Sequence, residues 1–242
     1  MSSNAFRWQS AALTDVGKQR KLNEDSILER SAAGLWVVAD GMGGHSAGDL
    51  ASQLIVNSLA QLDTDLTLAA LVTQVENTVQ AVNDRLFAVA TAHQQTSGST
   101  VVILLASGPH AVVMWAGDSR CYRLRQDQLS QISTDHTQIE LFIAKGLMTR
   151  AEALGHPSSN MVTRAVGVTD ELLLEMDLLE LADGDCFLLC SDGLDKHLSD
   201  DEIAQHLRGA VPASAARALI DLTLARGAVD NVSVCVVKVT SI

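Results

Sequence analysis

Apolar residues recur at helical spacing in two long stretches, from Ser46 to about Leu62 and from Leu66 to about His93. The second carries a stripe of Leu68, Leu71, Val72, Val75, Val79, Val82, Leu86 and Val89, which predicts a helix covering a core. Elsewhere the period shortens. "FRWQSAAL" alternates and predicts an opening strand, while "GLWVVAD" predicts a more buried one that stops on Asp40. The runs "STVVILLAS", "HAVVMWAGDS", "RCYRLRQ" and "QLSQIS" follow, separated by short turns, and this close spacing favours antiparallel hairpins over crossover units. Residues 136–167 interrupt the rhythm with a partly polar, helix-like insertion of the kind that often carries specificity. Beyond it, "LLLEMDLLEL", "DCFLLCSDG" and "NVSVCVVKV" predict strands, and residues 199–226 predict two helices. Grouped strands and grouped helices predict an α+β layered fold. No repeat or Pro-rich linker divides the 242 residues, so a single domain is expected.

Composition narrows the function. A formal net charge of -12 argues against nucleic-acid or anionic-membrane partners, which reward clustered Lys and Arg. No apolar run reaches membrane-spanning length and "MSSNAFRWQS" has no signal-peptide layout, so a cytoplasmic protein is expected. Cys121, Cys186, Cys190 and Cys235 lie in apolar contexts without C-x-x-C pairing and read as reduced core thiols rather than zinc ligands.

The informative feature is an apolar strand that runs into, or begins at, an aspartate beside Gly, Ser or Asn, four times over: Asp40 in "VVADG", Asp118 in "MWAGDSR", Asp192 in "LLCSDG" and Asp230 in "GAVDNVSV". Glu24 and Asp25 in "RKLNEDS" add a fifth acidic site. Any one of these is ordinary turn chemistry. If the strand ends meet, however, so many carboxylates cannot stay ionised together without cations. Carboxylate, carbonyl and water are hard oxygen donors that suit Mg²⁺ or Mn²⁺. A pair of such ions would activate a bridging water against a phosphoryl group, which makes phosphate-ester hydrolysis the natural chemistry.

In order, "GKQRKLNEDS", "VVADGMGGHSAGDLAS", "SGSTVV", "WAGDSRCYRL", "TDHT", "LCSDGL" and "DNVSV" resemble the successive signatures of the metal-dependent, type-2C (PPM) protein Ser/Thr phosphatases in their bacterial form, from Gly17 to Val234. The resemblance implies a four-layer α-β-β-α sandwich, two central antiparallel sheets flanked by helices, with metals in a cleft at one end. It implies that Asp40 bridges two Mn²⁺ or Mg²⁺ ions with the Gly41 carbonyl completing one shell. Asp192 and Asp230 would hold the first ion and Glu24 the second, partly through water. Asp25 would support the shell, Asp118 would bind a third and weaker ion, and Arg20 would grip the substrate phosphate. Where some members carry a His two residues after the bridging Asp, this chain has Met42. His45 is close by in sequence and is a candidate for proton transfer or for capping the following helix. Gly98 and Thr100 are expected to pack at the sheet, Arg120 to pair with nearby acids, and Asp135 to form a turn beside His136. Residues 136–167 match the flap that borders the cleft.

The function so implied is hydrolysis of phosphoserine and phosphothreonine in phosphorylated proteins, opposing a cognate bacterial Ser/Thr kinase. Free-standing phosphatases of this type include those associated with type VI secretion. A phosphatase of small phosphoesters is the enzymatic alternative, and a catalytically silent binding module the non-enzymatic one. The chain stops soon after its last predicted strand, so regulation is expected to come from a kinase, a partner or the metal supply.

Overall fold

In the computed structural model, residues 6–43, 47–94, 96–153, 156, 158 and 161–242 are described. The strands are β1 (Phe6–Asp15), β2 (Asp25–Arg30), β3 (Leu35–Met42), β4 (Gly98–Ser99), β5 (Val101–Ser107), β6 (His110–Ala116), β7 (Arg120–Arg125), β8 (Gln128–Gln131), β9 (Glu175–Glu180), β10 (Cys186–Cys190) and β11 (Val232–Ser241). The helices are α1 (Ala47–Ala60), α2 (Leu68–His93), α3 (Gln138–Ala144), α4 (Arg150–Ala153), α5 (Asp192–Asp195), α6 (Asp200–Leu207) and α7 (Pro212–Ala225).

Two antiparallel sheets form the centre. One runs β1-β11-β10-β7-β8 and the other β2-β3-β5-β6-β9, with β4 paired to β3. Three apolar clusters glue four layers together. Trp36, Val38, Val102, Leu104, Phe187, Leu189 and Val237 interdigitate between the sheets. On one outer face, Val37, Ile103 and Met114 pack against Ile55 and Leu59 of α1 and Val75 and Val79 of α2. On the other, Leu188, Val234 and Val236 pack against Ile203 of α6 and Ala216, Leu219 and Ile220 of α7. The alternation of β3 explains the arrangement, because Val37 and Trp36 point to opposite faces and both faces are buried. The α-β-β-α expectation therefore holds. The hairpin reading holds as well, since every pairing is antiparallel.

Two local expectations change. The strand carrying Asp40 does not stop there, because Gly41 and Met42 find ladder partners in Ser99 and Gly98 of β4. Asp192 opens the short helix α5 rather than ending β10. The excursion between β8 and β9 contains α3 and α4 and returns to the sheet through a Ser99–Val166 bridge. The four cysteines are buried and free. Among the described residues, no helix is long and apolar enough to cross a membrane.

Candidate metal centre

The predicted acids converge. Glu24, Asp40, Asp118, Asp192 and Asp230 line one cleft of about 540 Å³, together with Arg20, Gly41, Thr100, Lys196, Asn231 and Val162. Both sheets contribute, which is how residues scattered along the chain meet at one end of the sandwich.

Asp40 is the most tightly placed. Its N–H donates to Thr100 Oγ1 (3.2 Å), and its carbonyl accepts from Thr100 N–H (2.8 Å) and Ser99 Oγ (3.0 Å). Thr100 Oγ1 is in turn hydrogen-bonded to Ser119 Oγ at 2.6 Å, which ties the β3 and β6–β7 segments together. Thr100 thus does more than pack. Gly41 lies where three backbones cross: its N–H donates to Glu24 O (3.0 Å), and a Cβ there would sit 2.1 Å from Gly48 O and 2.6 Å from Glu24 O. Only glycine permits that approach. Gly48 admits the Glu24 carboxylate in the same way, since a Cβ on it would lie 2.7 Å from Oε1.

Asn231 organises the opposite wall. Its Oδ1 accepts from Glu24 N–H (2.9 Å), and its Nδ2 donates to Val16 O (2.9 Å) and Leu22 O (3.0 Å), pinning the loop that carries Arg20 and Glu24. Asp25 lies behind Asp40 and accepts from Ser191 Oγ and Ser233 Oγ, both at 2.7 Å, through Oδ2 alone. Its buried Oδ1 has no hydrogen-bond partner.

Crowding shows in the electrostatics. Loss of solvent, then repulsion from Asp25, Asp192, Asp118 and Asp230, lifts Asp40 well above the usual carboxylate range. Burial, followed by Asp192 and Asp135, pushes Asp118 up to about 7. Burial raises Asp25 to about 6 despite its two serine hydrogen bonds, and burial also raises Glu24. Two side chains answer the negative charge. Arg20 grips Asp230 bidentately, with Nε 2.9 Å from Oδ1 and Nη2 3.0 Å from Oδ2. Lys196 Nζ lies 2.5 Å from Asp192 Oδ2 and 3.4 Å from Asp230 Oδ2. With these carboxylates so engaged, no three His, Cys, Asp or Glu side chains among the described residues close on one point as a ready ligand set. The donors nonetheless fit hard divalent cations: all are oxygens, several are held at unfavourable charge, and directly behind Asp40 the buried Oδ1 of Asp25 lacks a partner.

Among the described residues, Gly98, Arg120, Asp135 and His136 fall outside the cleft lining. Arg120 pairs with Asp135 (Nη2–Oδ2 2.7 Å) and with Asp195 (Nη1–Oδ2 3.0 Å), as expected of a loop-holding arginine. Asp135 is thereby an ion-pair partner as well as a loop residue. His136 sits beneath the β6–β7 loop, its Nδ1 accepting from Gly117 N–H at 3.0 Å. Gly98 carries no chemistry, and its lack of a Cβ leaves room for Val166 O. His45 lies outside the described residues. Lys196 and Asn231 escaped the sequence reading. Lysine four residues after Asp192, within reach of one helical turn, was the available signal for the first, and the Asn directly after Asp230 for the second.

Two packed antiparallel sheets between helical layers, with a carboxylate cleft at one end, define the class: an α-β-β-α sandwich built around an acidic centre. The family description "Protein phosphatase 2C" matches residues 17–220, and the chain belongs to that family. It is 37% identical over 231 residues to the serine/threonine protein phosphatase PstP of Mycobacterium tuberculosis, covering 95% of this chain and 44% of PstP, so it spans less than half the length of that relative. The serine/threonine phosphatase stp of Listeria innocua is 31% identical, with 93% of each chain covered. Among solved structures, PppA, described as a key regulatory component of T6SS in Pseudomonas aeruginosa, superposes with a TM-score of 0.91 at 42% identity, covering 99% of this chain and 100% of that one. The catalytic domain of PstP in complex with two manganese ions superposes with a TM-score of 0.88 at 35% identity, covering 98% and 100%.

Proposed function

We propose that this chain hydrolyses phosphoserine and phosphothreonine in phosphorylated proteins and opposes a bacterial Ser/Thr kinase in the cytoplasm. The observation that carries the reading is the convergence of Glu24, Asp40, Asp118, Asp192 and Asp230 with Arg20 in one open cleft. Glu24, Asp40, the Gly41 carbonyl, Asp192 and Asp230 would hold two Mn²⁺ or Mg²⁺ ions, and Asp118 a third. The manganese in the PstP catalytic domain supports the choice of metal. Bound there, divalent ions supply Lewis acidity toward a phosphoryl oxygen and toward water.

The protein's own share is placement. Thr100 and Ser99 fix the Asp40 backbone on both its N–H and C=O sides, so the carboxylate enters the cleft from a rigid strand. Asn231 holds the loop that presents Arg20, whose half-exposed guanidinium at the cleft is suited to bidentate binding of a phosphate monoester. Val162 lines the cleft, and the segment 136–167 to which it belongs would act as a flap on a single catalytic unit spanning residues 1–242. The likeness to PppA supports a place in the regulation of type VI secretion.

The test is release of phosphate from phosphoserine and phosphothreonine peptides by purified protein in Mn²⁺, in Mg²⁺ and in excess chelator, beside phosphorylated metabolites. Metal-dependent turnover of the peptides is expected. Preference for metabolites would make this a small-phosphoester phosphatase, and binding of phosphopeptides without turnover a silent module.

A further inference from the structure

Lys196 follows α5 by one residue and stands one helical turn after Asp192. Its ammonium spans two carboxylates delivered by different parts of the chain, Asp192 Oδ2 at 2.5 Å and Asp230 Oδ2 at 3.4 Å. Arg20 occupies the other side of Asp230, where it takes both oxygens. We propose that Lys196 is a built-in competitor for the metal centre: its ammonium occupies the position between Asp192 and Asp230 in the metal-free protein, must leave for a divalent ion to enter, and so lowers the protein's affinity for that ion. This rests on the reading of Asp192 and Asp230 as metal ligands.

The geometry requires exclusion. An ion held by both carboxylates needs their oxygens at about 2.0–2.2 Å, a typical Mg²⁺ or Mn²⁺ spacing, and an ammonium already touching one of those oxygens cannot share that place. Exit is open to it, because the side chain is 26% exposed and rides on a flexible four-carbon stem. Return is favoured too, since the i,i+4 relationship to Asp192 keeps the ammonium within reach at all times. Removing it would leave Asp192 and Asp230 facing the crowded acids with less compensation, which destabilises the metal-free state and favours the metal-bound one. Opposite signs in the two states distinguish a competitor from a merely structural lysine.

Calorimetric titration of Mn²⁺ into metal-stripped wild type, Lys196→Gln, Lys196→Arg and Lys21→Gln tests this, with thermal melts of each protein with and without Mn²⁺. Lys196→Gln should bind Mn²⁺ about tenfold more tightly, melt lower without metal, and show a larger Mn²⁺-induced rise in Tm. Lys196→Arg, which keeps the charge, and Lys21→Gln, which removes a charge from the β1–β2 loop, should both stay within about threefold of wild-type affinity. Unchanged or weaker Mn²⁺ binding by Lys196→Gln would overturn the proposal. Equal tightening by Lys196→Arg would also overturn it, because the effect would then follow side-chain shape. Equal tightening by Lys21→Gln would do the same by reducing the effect to overall charge. Wild-type protein that takes up no Mn²⁺ would refute the ligand assignment and the proposal with it, an outcome distinct from tight but Lys196-independent binding.

Discussion

Asp25 and Asp40 stand directly opposite each other across the β2–β3 ladder, two carboxylates at one register position of an antiparallel pair. Like charges so placed are destabilising, and here both lie in poorly solvated surroundings. The fold tolerates this pairing where a cation can be recruited, and the partnerless Oδ1 of Asp25 marks what is still unmet.

Replacing Asp25 by Asn should therefore stabilise the metal-free protein. The Asn carbonyl can still accept from Ser191 and Ser233, while the repulsion with Asp40 disappears. A gain of about 1 kcal/mol, or roughly 2–4 °C in Tm for a chain of this size, is expected in chelator, with a smaller Mn²⁺-induced rise. Melting curves in chelator and in Mn²⁺ check both, and a lower metal-free Tm would refute the charge argument.

Asp40→Asn and Asp192→Asn each remove a charged donor from the cleft. Turnover on a phosphopeptide should fall by at least ~10³-fold while far-UV circular dichroism stays native-like. Near-normal turnover with metals still required would reject the two-metal assignment.

Arg20 is half-exposed and its removal should leave the fold intact. If Arg20 clamps the substrate phosphate as proposed, Arg20→Ala should lower kcat/KM by ~10- to 100-fold, roughly 1.4–2.7 kcal/mol, with a raised KM, on a phosphopeptide and an aryl phosphate alike. Lysine at position 20 should recover only part of the loss. Wild-type kcat/KM on both substrates would leave Arg20 with its Asp230 ion pair alone.

His136 gives a pH dependence with a definite sign. Burial and then Arg164 hold its pKa below the usual 6.5, outweighing the attraction of Glu175, and its neutral Nδ1 accepts from Gly117. The unfolded chain then binds this proton more readily than the folded one. The contribution of His136 to stability is complete above pH 6.5 and declines as pH falls from there toward the lowered folded-state value. A ¹⁵N titration of the imidazole should place its midpoint below 6.5, and a midpoint at or above that pH would contradict the buried, accepting role.

Thr100→Val should cost about 1–3 kcal/mol despite its matched shape, because Asp40 N–H and Ser119 Oγ both lose a partner. Thr100→Ser should restore most of it. Denaturant melts of the two variants measure the difference, and equal stability would return Thr100 to a packing role.

The strands were legible because their apolar runs are bounded by turn residues, and the acids because each sits at such a boundary. What stayed hidden depends on partners far away in sequence. The strand of Asp40 continues to Met42 only because β4 arrives to pair with it, and no local pattern announces that. Lys196 reads from sequence as an ordinary solvated i,i+4 partner until Asp230 is folded against it. Thr100 and Asn231 serve backbone groups of distant segments, so their side-chain chemistry is informative only once those segments are adjacent. Arg20 resembles a surface cation beside Lys18 and Lys21 for the same reason.

The sheet order β1-β11-β10 also governs when this centre can exist during synthesis. β11 lies between two strands made earlier, pairing residue by residue with β1 from Phe6–Ser241 to Asp15–Val232. While the ribosome is still short of β11, β1 has no sheet neighbour and the Arg20–Glu24 loop lacks the Asn231 hydrogen bonds that pin it. A nascent chain can therefore close its α1–α2 half through local contacts, yet it cannot assemble the acidic cleft until Asp230 and Asn231 have left the exit tunnel. Partially made chains therefore lack the Asp230 and Asn231 wall of the acidic cleft altogether.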